Sequence, residues 1–223
     1  MEHKTEWETL REIKQMMERS SRFISLSGWS GIAAGICALV GAYFAHQVIV
    51  NNGGASLRMT GDLNTVISVK QFMGSRLFFI AIFTFVSAFA TAFIFTYLKS
   101  KKKNVPIWGI TSRRLMVSVA VPMIAGGFFL LRMIQVGFYG LVAPGCLIFY
   151  GLALVNASKY TLGEIRNLGY AQIVLGIINC WYMGYGIYFW TVGFGVLHII
   201  YGILMWQKYE RSETEGEKEI INA

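Results

Sequence analysis

Three polar residues, His198, Gln172 and Asn179, fall deep inside long apolar runs, and their chemistry would matter most to any function. In a bilayer such groups are costly, so they mark a functional site unless neighbouring groups satisfy them. Folding the last apolar hairpin about Tyr185 and counting outward sets His198 level with Gln172, and Thr191 level with Asn179. This register predicts a His198–Gln172 hydrogen bond worth about 0.6 kcal/mol. Two readings of His198 stand: an imidazole that titrates near neutrality and responds to pH, or a neutral, hydrogen-bonded histidine of the helix interior. His46, near the end of another run, is expected at the membrane interface. Thr84, Ser87 and Thr91 form a stripe at i, i+3 and i+7, and their hydroxyls can bond carbonyls of their own helix.

Catalytic patterns are missing from the sequence. It has no HExxH, no phosphate-binding Walker loop and no nucleophile-elbow serine. Gly137-Phe138-Tyr139-Gly140 lies beside apolar runs, where glycine serves packing. The three cysteines, Cys37, Cys146 and Cys180, are far apart without metal-ligand spacing and read as small buried residues. The expectation is a non-enzymatic protein without a cofactor or a metal.

The elements that must hold these residues follow from composition. Of 223 residues, 55% are hydrophobic and only 14% charged, whereas about a quarter are charged in soluble domains. The fold class expected is all-α: a polytopic membrane helical bundle of six transmembrane helices preceded by an amphipathic cytoplasmic helix. The spans run over about Phe23–Val50, Leu77–Leu98, Leu115–Ile134, Phe138–Ala157, Leu168–Met183 and Ile187–Gln207. A kink is expected near Pro122, and a tight turn at Gly184-Tyr185-Gly186 should join the last two spans. Three regions result: residues 1–22, a membrane domain over 23–207 and a polar tail over 208–223.

Within the first span, Ser27, Gly31, Gly35, Ala38, Ala42 and Ala45 follow one face at steps of three and four. Such a seam lets helix backbones approach closely in lipid. It serves either packing inside the monomer or a homo-oligomer. Lys4–Arg22 reads as an amphipathic helix with Trp7, Leu10, Ile13 and Met17 on its apolar face. Its charges nearly balance, so this face suits a protein partner or the protein's own bundle better than anionic lipid. The loop over 51–75 reads as a connector, the alternative being a lid, with Thr65–Val69 β-branched enough for a short strand or re-entrant piece.

Orientation comes from the basic residues. Lys99, Lys101, Lys102, Lys103, Arg113 and Arg114 hold six of the twenty Lys and Arg, between the second and third spans. Of the twelve acids only Asp62 and Glu164 lie between Ser20 and Tyr209. The excess of positive charge in short loops puts both termini in the cytoplasm. The bilayer is therefore the main partner. Nucleic acid is not one, because the basic residues flank apolar spans and form no stripe with stacking aromatics.

The ends of the fourth and sixth spans look alike: Tyr150-Gly151 followed by Lys159-Tyr160, against Tyr201-Gly202 followed by Lys208-Tyr209. Each also has a glycine upstream, Gly145 and Gly195, offset by one residue. Residues 115–157 and 168–207 thus form a candidate repeat of two hairpins, the alternative being chance recurrence in a chain with 24 glycines. The glycine-rich stretch from Leu168 to Trp206 resembles the hairpins of small six-span bacterial inner-membrane proteins of the HdeD acid-resistance type. The whole chain resembles uncharacterised bacterial membrane proteins that begin with an amphipathic helix. These resemblances imply an inner-membrane protein acting as a scaffold, partner-binding or stress-associated component. The alternative reading is a channel or facilitator for a small neutral solute.

Overall fold

A computed structural model describes residues 27–51, 74–102 and 109–211. The expected helix at Lys4–Arg22, Thr65–Val69, Lys103 and the tail from residue 212 lie outside the described residues. Among those residues all regular structure is helical. In chain order the elements are α1 (Gly28–Asn51), α2 (Arg76–Lys102), α3 (Ile110–Gln135), α4 (Val142–Ala157) and α5 (Glu164–Trp181). A continuous last arm follows, made of α6 (Gly186–Trp190), a π-helical segment (Thr191–Leu197), α7 (His198–Met205) and a second π-helical segment (Trp206–Arg211).

Five segments are long and apolar enough to cross a membrane: Gly28–Asn51, Arg76–Lys102, Ile110–Gln135, Tyr139–Ala157 and Gly186–Tyr209. α5 is the sixth long helix and the most polar of them, carrying Glu164, Arg166, Asn167, Gln172 and Asn179 in 18 residues. At 1.5 Å per residue it is about 27 Å long. α3 runs unbroken through the buried Pro122. Gly184 adopts φ +99° in the turn between α5 and the last arm, a conformation open to glycine and strained for L side chains. That is why the hairpin can close in so few residues.

Neighbouring helices pack antiparallel, and glycine sets how close they come. Gly41 of α1 lies directly against Thr84 of α2, and Gly126 of α3 against Phe149 of α4. α4 and α5 meet backbone to backbone at Gly151 and Gly169. The last arm then closes against α1, with Gly28 and Gly35 facing Gly202 and Gly195. At the end near residues 157–165, Ala157, Leu162, Ile165 and Met205 form an apolar cluster joined by Leu115 and Val119 of α3. By contrast, α2 turns most of its surface outward, and Phe85, Phe89, Phe93 and Tyr97 stack along it at centroid spacings of 6.4 to 6.5 Å.

Candidate functional site

The polar residues of α5 and the last arm meet around one backbone carbonyl. The first π segment makes room for this: Gly193 and Gly195 lack side chains, and Leu147, Gln172, Leu175 and Leu39 of the neighbouring helices fill the space a methyl group would take. Gln172, fully buried on α5, donates through Nε2 to the Gly193 carbonyl at 2.8 Å. His198 Nδ1 lies 3.0 Å from the same oxygen. Because a carbonyl only accepts, the proton sits on Nδ1, and Nε2 lies 2.8 Å from the Tyr150 hydroxyl, from which it accepts whenever the ring is neutral. A single carbonyl oxygen thus receives two donors, using both of its lone pairs. Phe194 stacks on His198 and packs on Tyr150, with centroids 6.0 and 5.0 Å apart.

This arrangement differs in one detail from the sequence expectation. His198 and Gln172 come together, but they do not bond one another; each donates to Gly193. Level counting along two straight helices missed the π segment, which offers the carbonyl between them. Asn179 is also fully buried and donates to the Tyr182 carbonyl at 3.3 Å, while Thr191 bonds Ile187 in its own helix at 2.7 Å. The expected level placement of the two is not found: Asn179 Oδ1 lies beside Gly186 instead, and Thr191 bonds within its own helix. Tyr150 and Gly193 are members of the node that residue-by-residue reading did not find. In the sequence Tyr150 shows only as half of a repeated Tyr-Gly pair, and nothing local shows that its hydroxyl reaches across to the last arm.

Chemically, the node is a fastening. The chain Tyr150–His198–Gly193 ends on a carbonyl, which cannot pass a proton onward, and Gln172 ends on the same atom. Both ring nitrogens of His198 are engaged. The oxygens Gln172 Oε1 and Asn179 Oδ1 are buried without a hydrogen-bond partner, both on the face of α5 turned toward the interior.

The remaining expected residues lie elsewhere. Gly31 and Gly35 face His198, Gly202, Gly195 and Ile199 of the last arm, and Ala38 and Ala42 are buried. In this arrangement the small-residue seam is covered by the protein's own last arm. Thr91 returns its hydroxyl to Ser87 and Ala88 carbonyls at 2.8 and 3.0 Å, and Ser87 to Thr84 at 3.0 Å. His46 reaches the Tyr188 hydroxyl at 3.3 Å at the end opposite the basic residues. Lys101, Lys102, Arg113 and Arg114 are exposed, while Lys99 is half-buried. The three cysteines are free thiols.

A second polar group sits at the basic end. Glu164, the first residue of α5, pairs with Lys208 and accepts from Tyr209 at 3.0 and 2.9 Å. Burial pushes its carboxyl pKa up, but hydrogen bonds from Lys208 and Tyr209 and the Lys208 charge outweigh that and hold it below the ordinary value. It ties the start of α5 to the end of the last arm. No protein-family model, curated protein or solved structure matches the chain.

Proposed function

We propose that the chain is a non-enzymatic, six-span protein of the bacterial inner membrane, acting as a scaffold or stress-associated component that binds a protein partner at its cytoplasmic ends. In this reading α5 is the sixth span, and the charge distribution of the loops keeps both termini in the cytoplasm. One observation carries the proposal: the hydrogen-bond donors of Tyr150, His198 and Gln172 are spent on one another and on the Gly193 carbonyl. The hydroxyls of Ser87, Thr91 and Thr191 bond carbonyls of their own helices. A bundle fastened in this way serves as a platform. Recognition is then left to the apolar face of Lys4–Arg22 and the polar tail.

The test is a pull-down from membranes with the full chain and with a chain lacking residues 1–22. The proposal expects a partner that is lost with the deletion. Identical partner sets would contradict it. A second reading, a facilitator for a small neutral solute, draws on the two buried acceptor oxygens of Gln172 and Asn179. It expects proteoliposomes containing the protein to pass water or a small amide faster than empty vesicles, and Gln172→Leu to abolish the difference.

A further inference from the structure

The seam between α4 and α5 and the seam between the last arm and α1 repeat one another residue for residue. A methyl group built on Gly151 would lie 2.7 Å from the Gly169 carbonyl and 2.7 Å from Ile173 Cγ1. One built on Gly202 would lie 2.8 Å from the Gly28 carbonyl and 2.8 Å from Ile32 Cγ1. One turn further, a methyl on Gly176 would meet Pro144 O at 2.9 Å and Ile148 Cγ1 at 2.7 Å, and one on Gly35 would meet Gly195 O at 2.8 Å and Ile199 Cγ1 at 2.7 Å. At the other end Gly169 faces Gly151 O and Val155 N, as Gly28 faces Gly202 O and Trp206 N.

The registers agree throughout. Pro144, Ile148, Gly151 and Val155 of α4 have the same spacing as Gly195, Ile199, Gly202 and Trp206 of the arm. Gly169, Ile173 and Gly176 of α5 have the spacing of Gly28, Ile32 and Gly35 of α1. Sequence comparison alone pairs the last arm with the fourth span through Tyr150-Gly151 and Tyr201-Gly202, and leaves Gly145 and Gly195 out of step by one residue. The contacts instead give Gly195 the place of Pro144, and they bring α1 into the repeat as the counterpart of α5.

Against this shared frame the polar node stands out. Leu147, fully buried, holds in α4 the position that His198 holds in the arm; Gly31 of α1 corresponds to Gln172 of α5; Val142, the first residue of α4, corresponds to Gly193. We propose that these two seams are two copies of one interlocking helix pair, and that the Tyr150–His198–Gly193–Gln172 node is a clasp that ties the second copy to the first, with no counterpart on the α1 side. The clasp fixes the arm's register against α5 at the point where α4, its counterpart, simply begins. Without it, the π segment is free to tighten into an ordinary α-helix and shift the arm along α5.

Disulfide cross-linking of the full chain, with Cys37, Cys146 and Cys180 replaced by Ala, tests both parts. The pair Ile148→Cys with Ile173→Cys and the pair Ile199→Cys with Ile32→Cys should react alike with thiol reagents of each length. A third pair, Leu175→Cys with Val192→Cys, reads the arm against α5. Adding His198→Leu and Gln172→Leu together should lower its cross-linking yield several-fold and leave the Ile148–Ile173 yield unchanged. Gln172→Met alone, a milder change, should lower it part of the way and serves if the double variant does not fold. Unequal reactivity of the two isoleucine pairs would overturn the repeat. A Leu175–Val192 yield indifferent to Gln172→Met would overturn the clasp.

Discussion

The α4–α5 seam and the seam between the last arm and α1 use the same glycine and isoleucine contacts, yet they join different kinds of neighbours. α4 and α5 are consecutive in the chain and are joined through Ser158–Gly163, so their pairing is local. α1 and the last arm stand at opposite ends of the described chain, so their pairing is the most distant in sequence and closes the bundle. The difference shows what the glycines supply and what they do not. They supply close backbone approach, where van der Waals contact takes the place of the hydrophobic drive that is missing in lipid. They do not fix which residues along the arm face α5, and the arm's polar node does.

The comparison can be broken most severely at Gly28. Its would-be methyl meets the Gly202 carbonyl and the Trp206 amide at 2.5 Å each, backbone on both sides. Gly28→Val should therefore cost about 3 kcal/mol or more, read as loss of the folded monomer in size-exclusion chromatography. A smaller effect is expected at the clasp. His198→Leu keeps the shape that Leu147 shows to be acceptable but strands the Tyr150 hydroxyl, for a loss of about 1–2 kcal/mol in unfolding free energy. Leu147→His, which brings a polar ring into the copy without partners for it, should cost more than the reverse change.

Acidity sharpens the comparison at the basic end, where Glu164 bridges the two copies. Its pKa is held below the ordinary 4.5, so the bridge stabilises the fold above that value and is lost as the pH falls through the lowered pKa. Thermal unfolding of the wild type should drop toward that of Glu164→Gln in acid, and the variant should lack this component. A wild-type profile parallel to the variant's at every pH would remove the bridge from the account. The smallest effects belong to glycines outside the tight contacts. Gly31→Ala would place its methyl 3.2 Å from Gly202 Cα and should cost less than the same change at Gly28, Gly35 or Gly202. Gly127 has open space around it, and Gly127→Ala should stabilise α3 by about 0.5–1 kcal/mol.

Much of the helical layout was legible in the residues, because long apolar runs bounded by turn chemistry leave little choice. Gly184 marks the last turn, and Arg113 and Arg114 mark the start of α3. His198, Gln172 and Asn179 were legible as well, since a polar group in an apolar run stands out from its surroundings. Two things were not. The π segment, Thr191–Leu197, carries no residue pattern that sets it apart from an α-helix, so straight-helix counting pairs His198 with Gln172 directly. The pairing of α1 with the last arm depends on contacts between distant parts of the chain. The Gly31 and Gly35 spacing announces a close neighbour without saying which helix it is, and Gly28, which makes the tightest contact, lies off that stripe.

The measurement closest to the centre of this account is the unfolding free energy of the full chain carrying Gly151→Ala, set against the same chain carrying Gly202→Ala. The two glycines hold matching places, each against a glycine carbonyl and an isoleucine. The account predicts equal losses of about 1–3 kcal/mol. A large loss at Gly151 beside none at Gly202 would contradict it, because the last arm would then not be locked against α1 as α4 is against α5.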